Sequence, residues 1–347
     1  MKAMLINRIA PLTENPEPLT AAVLPIPEPA TDEILIRVTA CGVCHTELDE
    51  VEGRTPPSVL PMVPGHEVIG RVTETGAAVT RHAVGDRVGV GWIFKSNGED
   101  TENISNEFLA TGRDANGGYA EYMTVHERYA YRIPDCFTDY EAAPLLCAGS
   151  VGYRALMLTR LRNGEVLGLT GFGASGHLVL QLALHLYPES PVYVFARSHK
   201  ERLFALDLGA SWAGDTQDKP PQAPHAIIDT TPAWRPVLAA LKCLRPGGRL
   251  VINAIRKEDE DKSLLAQIDY AQQLWQEKEL KTVANITSHD IEAFLMIAAE
   301  AGIRPEVELY TLEQANKALS ELHSRHVRGA KVLAVDEQLL ALHKAAN

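Results

Sequence analysis

Three residues able to bind a metal or act as nucleophiles crowd into "ACGVCHTELDE" (residues 40–50): Cys41, Cys44 and His45. Twenty-one residues after His45 the chain returns to "PGHEVIG", which brings His66 and Glu67, and a further thiol, Cys147, stands in "APLLCAG". Zinc in catalytic sites takes three protein ligands and keeps a fourth position open, and two Cys with one His is a recurring set. Cys44, His66 and Cys147 are the candidates for that set. Spacing alone fits buried structural cysteines with a surface histidine equally well, and both readings stand at this point.

A second chemical signal lies in "LGLTGFGASGHLVL", where Gly171, Gly173 and Gly176 have the G-x-G-x-x-G spacing directly after an apolar strand and directly before a helix. In that context the first glycine permits the sharp bend, the second lets the backbone approach a pyrophosphate, and the third lets helix and strand pack closely. The helix N-terminus adds amide donors and a partial positive charge. The next strand, "VYVFA", ends at Ala196, Arg197 and Ser198. An acidic residue there would bind a ribose 2′-hydroxyl, whereas an arginine accommodates a 2′-phosphate. Arg197, with Ser198 and Lys200 beside it, therefore favours NADP(H), with NAD(H) as the alternative.

These groups need elements to hold them. To about residue 150 the chain reads as short β-strands, "EILIRVTA", "VIGRVTETG", "GDRVGVGW" and "YAEYMTV", bounded by Gly, Pro and Asp. From about residue 154, apolar runs alternate with helical patterns ("VYVFA", "HAIIDTT", "GRLVINAI", "ELKTVANI"), which means crossover units and a parallel sheet of about six strands covered on both faces. After about 286 come an amphipathic helix, "SHDIEAFLMIAAEAG", and a terminal strand-like run, assigned back to the first domain. The expected domains are 1–153, 154–286 and the return segment 287–347.

The 347 residues suggest two domains at roughly 150 residues each. A formal charge of −12, from 33 Lys plus Arg against 45 Asp plus Glu, argues against a nucleic-acid or anionic-membrane surface and points to small-molecule partners. Five scattered cysteines make a disulfide framework improbable. The N-terminus has no apolar leader core, and no run of roughly eighteen apolar residues occurs. A soluble, cytoplasmic protein is expected.

Taken in order, "GVCHTEL", "GHEVIG", "GDRV", "GGYAEY", "APLLCAG" and "GFGASGH" resemble the zinc-dependent alcohol dehydrogenases of the medium-chain dehydrogenase/reductase superfamily over nearly the whole chain. The resemblance implies an α/β protein in which a GroES-like, mainly-β catalytic domain is split around a Rossmann domain with a doubly wound parallel sheet. It implies Cys44, His66 and Cys147 as zinc ligands, Glu67 as an occasionally exchanging neighbour, and Thr46 at the reacting oxygen as the start of a proton relay. It further places His45 among the cofactor-binding residues, Trp92 at an aromatic wall of the substrate pocket, with a core Trp as the alternative, and Arg54 at a pocket position of some relatives, where facing solvent is favoured over meeting an acidic substrate group. It implies a homo-oligomer, dimer or tetramer. The activity implied is alcohol oxidation or aldehyde reduction with a nicotinamide cofactor. A carbon–carbon double-bond reductase is the alternative within the superfamily, and a non-catalytic binding protein a third reading.

Three departures qualify the resemblance. Glu47 stands where the family has an aspartate that partners the histidine ligand. Asp49 stands where many relatives have the histidine that ends the proton relay, so the relay ends at Asp49 or in water. The polar stretch 95–108 has no cysteines where relatives hold a structural zinc; Asn97, Asp100 and Asn103 share the spacing but are a poor zinc set. One zinc per chain and a metal-free, mobile lobe are expected, with Cys41, Cys136 and Cys243 as ordinary buried or partly buried thiols.

Overall fold

The structure, a computed structural model, describes residues 1–324, 329–336, 340 and 341; the end of the expected return segment lies outside the described residues. The chain forms two compact units. The first comprises Met1–Cys147, Asn285–Ala299 and Pro305–Asn347, and the second Ala148–Ala284 and Glu300–Arg304.

The first unit contains β1 (Lys2–Ile6), β2 (Leu19–Val23), β3 (Glu33–Val43), β4 (Val68–Thr75), β5 (Arg87–Val90), β6 (Ile93–Lys95), β7 (Leu109–Ala110), β8 (Tyr122–His126) and β9 (Ala130–Arg132), with helices α1 (His45–Val51) and α2 (Asp139–Pro144). In the second unit come α3 (Ser150–Thr159), β10 (Leu167–Thr170), α4 (Ala174–Leu186), β11 (Val192–Phe195), α5 (His199–Asp207), β12 (Trp212–Gly214), β13 (Ala226–Asp229), α6 (Trp234–Cys243), β14 (Arg249–Ile252) and β15 (Glu279–Thr282). The chain then adds α7 (Ser288–Ala301), β16 (Val307–Thr311), α8 (Ala315–His323) and β17 (Ala330–Ala334).

In the first unit a seven-stranded sheet runs β16-β17-β3-β4-β5-β9, with β8 also paired to β3. Strand β3 is the axis. It is long, nearly all buried, and pairs antiparallel with β4, β8 and β17. Register places Leu333 of β17 opposite Cys41 and Lys331 opposite Val43, so the last described strand of the chain braces the residues leading into Cys44. Ile34, Ile36, Val68, Val88, Val125 and Leu319 fill the core beneath.

The second unit is a parallel six-stranded sheet in the order β12-β11-β10-β13-β14-β15. Strands β10, β11, β13 and β14 are buried along their whole length, as apolar strands covered on both faces must be. Helices α4 and α5 pack on β10 to β12, while α3 and α6 pack on β13 and β14. The three-residue β12 is too short to be read from periodicity.

The polar stretch 95–108 is tied down rather than loose. Glu102 is buried; its carboxylate accepts a hydrogen bond from the Ser288 backbone N–H at 2.6 Å, at the start of α7, and another from the Tyr129 hydroxyl at 3.4 Å. The carboxylate thus meets the donor end of a helix, where a negative charge is favoured. The cysteine expectation needs one correction: Cys41 is buried and Cys243 half-buried, but Cys136 is exposed, because it sits in the turn ahead of α2. No helix among the described residues is long and apolar enough to cross a membrane.

Candidate active site

Helix α1 begins where β3 ends, and its N-terminal geometry organises the cluster. Cys44 is the cap residue, with extended backbone, so its side chain stands at the helix mouth. Glu47, at the third helical position, reaches back to accept the Cys44 N–H at 2.8 Å and with its other oxygen accepts from His66 Nδ1 at 2.5 Å. A glutamate is the preferred residue for that backward reach. The extra methylene relative to aspartate therefore lets one carboxylate anchor both the helix start and the imidazole.

A carboxylate can only accept, so in the neutral imidazole of His66 the proton lies on Nδ1 and the lone pair on Nε2. His66 is 1% exposed and its Nε2 has no hydrogen-bond partner among the described residues. Cys147 comes from a wide turn of π-helical geometry, Leu145–Gly149, which follows Pro144 and swings the thiol toward Cys44; the two Sγ atoms are 3.9 Å apart. Glu67 completes the group. One atom each from Cys44, His66, Glu67 and Cys147 lies within 4.8 Å of all the others. Gly42 is what admits the Glu67 carboxylate, since a Cβ there would fall 1.8 Å from Glu67 Oε2. Two thiols, an imidazole with an orphaned buried nitrogen and an adjacent carboxylate are a donor set that fits zinc.

The protonation pattern follows from this crowding. The hydrogen bond from Cys147 is the main cause holding the Cys44 thiol well below its usual range, while that same contact and burial push Cys147 well up: the pair shares one negative charge. Burial opposes a charged His66, but the Glu47 charge, the hydrogen bond His66 donates to Glu47 and the Cys44 charge outweigh it and raise the imidazole. Burial, then the Cys44 charge, pushes Glu67 up. A metal entering this cluster displaces protons, so its affinity rises with pH.

Thr46 and Asp49 are both buried on α1, with Thr46 Oγ1 3.7 Å from Cys44 Sγ. Asp49 accepts from Arg54 Nε at 2.6 Å, and Arg54 also holds Glu52. Arg54 is thus committed to two carboxylates, with its side chain 39% exposed. Trp92 lies beside His66, ring centroids 6.2 Å apart, and packs edge-on against Phe108 at 5.6 Å, with the Arg113 guanidinium 5.5 Å above its ring. Exposed His45 opens α1.

Phe108, Arg113 and Glu50 were not legible as site residues. Glu50 is fully buried, and neither of its carboxylate oxygens has a hydrogen-bond partner among the described residues. Within "ELDEVEG" it reads as one more acid on a solvated helix face, so no local signal marks it. Burial, reinforced by the Glu47 charge, holds Glu50 well above the usual carboxylate range. The folded chain therefore retains a proton that the unfolded chain releases near pH ~4.3. That contribution is fully present below this pH and is lost as pH rises toward the raised value. In metal-free protein, Glu50→Gln should melt at or above wild type at pH 8, with the gap shrinking toward pH 5. A Glu50→Gln variant that melts lower at pH 8 than wild type would show that a charged Glu50 is compensated.

The glycine turn lies in the second unit. Gly171 follows β10 with φ +80°, a left-handed conformation that a side chain would strain. Gly173 faces open space and caps α4 without a side-chain hydrogen bond, leaving the helix amides available to an anion. Gly176 packs on the turn, where a Cβ would meet Gly171 O at 2.8 Å. Beyond β11, Arg197, Ser198 and Lys200 are exposed. Arg202, which the sequence reading did not single out, bonds the carbonyls of Ala196 and Arg197 at 2.8 and 2.9 Å and so braces this strand end.

Comparison with known proteins agrees with this geometry. Residues 30–135 match the alcohol dehydrogenase GroES-like domain. The probable alcohol dehydrogenase AdhA of Mycobacterium tuberculosis (strain CDC 1551 / Oshkosh) is 39% identical, covering 96% of this chain and 97% of that protein. An alcohol dehydrogenase of Geobacillus stearothermophilus is 31% identical, covering 97% and 100%. Among solved structures, a cinnamyl alcohol dehydrogenase from Sorghum bicolor superposes with a TM-score of 0.80 at 26% identity, covering 96% of this chain and 97% of that one. The chain belongs to the zinc-dependent alcohol dehydrogenase family of the medium-chain dehydrogenase/reductase superfamily, and NAD(P)-dependent interconversion of alcohols and carbonyl compounds is its reaction.

Proposed function

We propose that the chain oxidises primary or secondary alcohols, and reduces the matching carbonyls, at one zinc ion held by Cys44, His66 and Cys147, with Glu67 as the exchanging neighbour and NADP(H) favoured over NAD(H). The observation that carries this reading is the buried quartet of donor atoms within 4.8 Å of one another. When bound, zinc supplies a Lewis acid at the substrate oxygen and the nicotinamide supplies or accepts a hydride. The chain's own residues do the rest. Glu47 fixes the His66 tautomer so that Nε2 faces the metal position. Thr46 relays the alcohol proton, its hydroxyl accepting that proton during oxidation as it passes its own outward, with the reverse transfer during reduction. One Asp49 oxygen is already taken by Arg54, which makes water the better terminus for that proton. Trp92 and Phe108 give the cluster an apolar, aromatic flank suited to a substrate with an apolar body.

A double-bond reductase would have no use for the thiol–imidazole cluster, so it is the weaker reading. An oligomer is supported by the outer edge of the parallel sheet: all four residues of β15, Leu280 among them, are exposed, and Tyr270 and Trp275 in the segment before it expose apolar surface.

The cofactor preference rests on Arg197, exposed at the end of β11 with no acidic residue at that position. A charge-assisted contact to a 2′-phosphate is worth ~1.5–3 kcal/mol, so NADP(H) should exceed NAD(H) by at least about tenfold in kcat/KM. Arg197→Asp should reverse the preference. A panel of benzyl alcohol, cinnamyl alcohol, the two aldehydes and an enone, run with both cofactors, tests activity and preference together. Turnover confined to the enone would refute the proposed reaction, and a wild type that prefers NAD(H) would refute the role of Arg197.

A further inference from the structure

The second unit carries a buried polar network that the roles above do not use. In the sheet order the chain reverses between β10 and β13, and open α/β sheets bind ligands outside the carboxyl ends of the strands at such a point. Thr170 and Asp229 are the last residues of those two strands and are register partners. Asp229 is fully buried; its Oδ1 accepts from Thr170 Oγ1 at 2.5 Å and Thr231 Oγ1 at 2.8 Å, and its Oδ2 is paired with Lys257 Nζ. Lys257 comes from the loop after β14, and its ammonium also donates to Thr231 O at 2.6 Å and Ala233 O at 3.2 Å. All three ammonium donors are thereby used. The network ties the loop after β14 to the loop after β13 and has no ammonium donor left for a ligand.

Asn253, the first residue beyond β14, is the exception. Its backbone N–H donates to Asp229 O at 2.7 Å, and the residue is 9% exposed, yet its Nδ2 is buried with no hydrogen-bond partner among the described residues. Folded proteins rarely leave such a donor unsatisfied. A ligand acceptor at the carboxyl end of the sheet would satisfy it. We propose that Asn253 binds the nicotinamide dinucleotide by donating from its side-chain amide to an oxygen of the bound cofactor, and that Lys257, through Asp229, is the positioning residue that holds the Asn253 loop in place. This rests on the reading that the chain takes a nicotinamide cofactor.

The test is direct cofactor binding to the full-length chain, measured by titration calorimetry with NADPH and NADH, alongside thermal melting without cofactor. Asn253→Ala should raise the Kd of the preferred cofactor about fivefold, the loss of one neutral hydrogen bond, while the cofactor-free Tm stays the same or rises. Asn253→Asp, which removes the donor but keeps the shape, should raise Kd at least as much. Lys257→Gln should also raise Kd, and Asn253→Ala should then add little, because a displaced loop no longer presents the amide. If Lys257→Gln does not fold, the two Asn253 variants still decide the binding role. Unchanged Kd with a lowered Tm in Asn253→Ala would overturn the proposal by making the amide structural. A wild-type chain that binds neither NADPH nor NADH would refute the cofactor reading and this proposal with it, a result distinct from a loss confined to the variants.

Discussion

Replacing Cys44 or His66 by alanine should abolish turnover while leaving a folded chain. Elemental analysis of wild type should give about one zinc per chain, and either variant should retain well under that. Lewis-acid assistance is worth several kcal/mol, so the expected fall in kcat/KM is on the order of 10³-fold or more. The fold should survive because the cluster sits at the mouth of α1, whereas the core of that unit is built from β3, β4, β5 and β8. Far-UV circular dichroism checks this directly. A variant that binds zinc as wild type does and turns over at a comparable rate would remove the replaced residue from the ligand set. Two tightly held zinc ions per chain would instead contradict the reading of the polar lobe, which Glu102 already anchors to the start of α7.

Thr46→Val should lower alcohol oxidation by ~10²-fold or more while zinc and cofactor still bind. Valine keeps the shape of threonine and replaces only the hydroxyl, by a methyl group; that hydroxyl lies 3.7 Å from Cys44 Sγ on a residue that is 5% exposed. At such burial, bulk water cannot readily stand in as the first proton acceptor. Thr46→Ser, which restores a hydroxyl, should recover most of the rate, and that rescue separates proton transfer from packing. Asp49→Asn should matter less, because water can replace a terminal group more easily than the first one. Near wild-type oxidation by Thr46→Val would mean that the proton leaves by another route.

The candidate ligands were legible one by one from their residue types, but their convergence was legible only through the family resemblance and not from spacing. Cys44, His66 and Cys147 are recognisable as ligand types in suggestive contexts, yet spacing across a hundred residues says nothing about distance. The cluster exists because β3 ends at Val43, β4 begins at Val68 and a π-helical turn follows Pro144. Glu50 illustrates the opposite case. Its sequence context is that of a solvated acid, and only packing removes it from water. Arg54 was ambiguous between substrate and solvent; it is held by Asp49 and Glu52, carboxylates five and two residues before it.

Sequence by itself determined the alternation of strands and helices, the glycine turn and the chemical types available for catalysis, because periodicity, positive φ and side-chain chemistry are local properties. It also carried the Glu47 substitution and the cysteine-free lobe. Tertiary structure decided which polar groups are dry and which of them meet. Glu47 bonding His66, Glu102 capping α7, and Lys257 bonding Asp229 each join residues separated by 19, 186 and 28 positions. Such pairs form only when the backbone has closed, and burial then decides what each is worth: a donor or carboxylate costs little in water and a great deal once its water is gone.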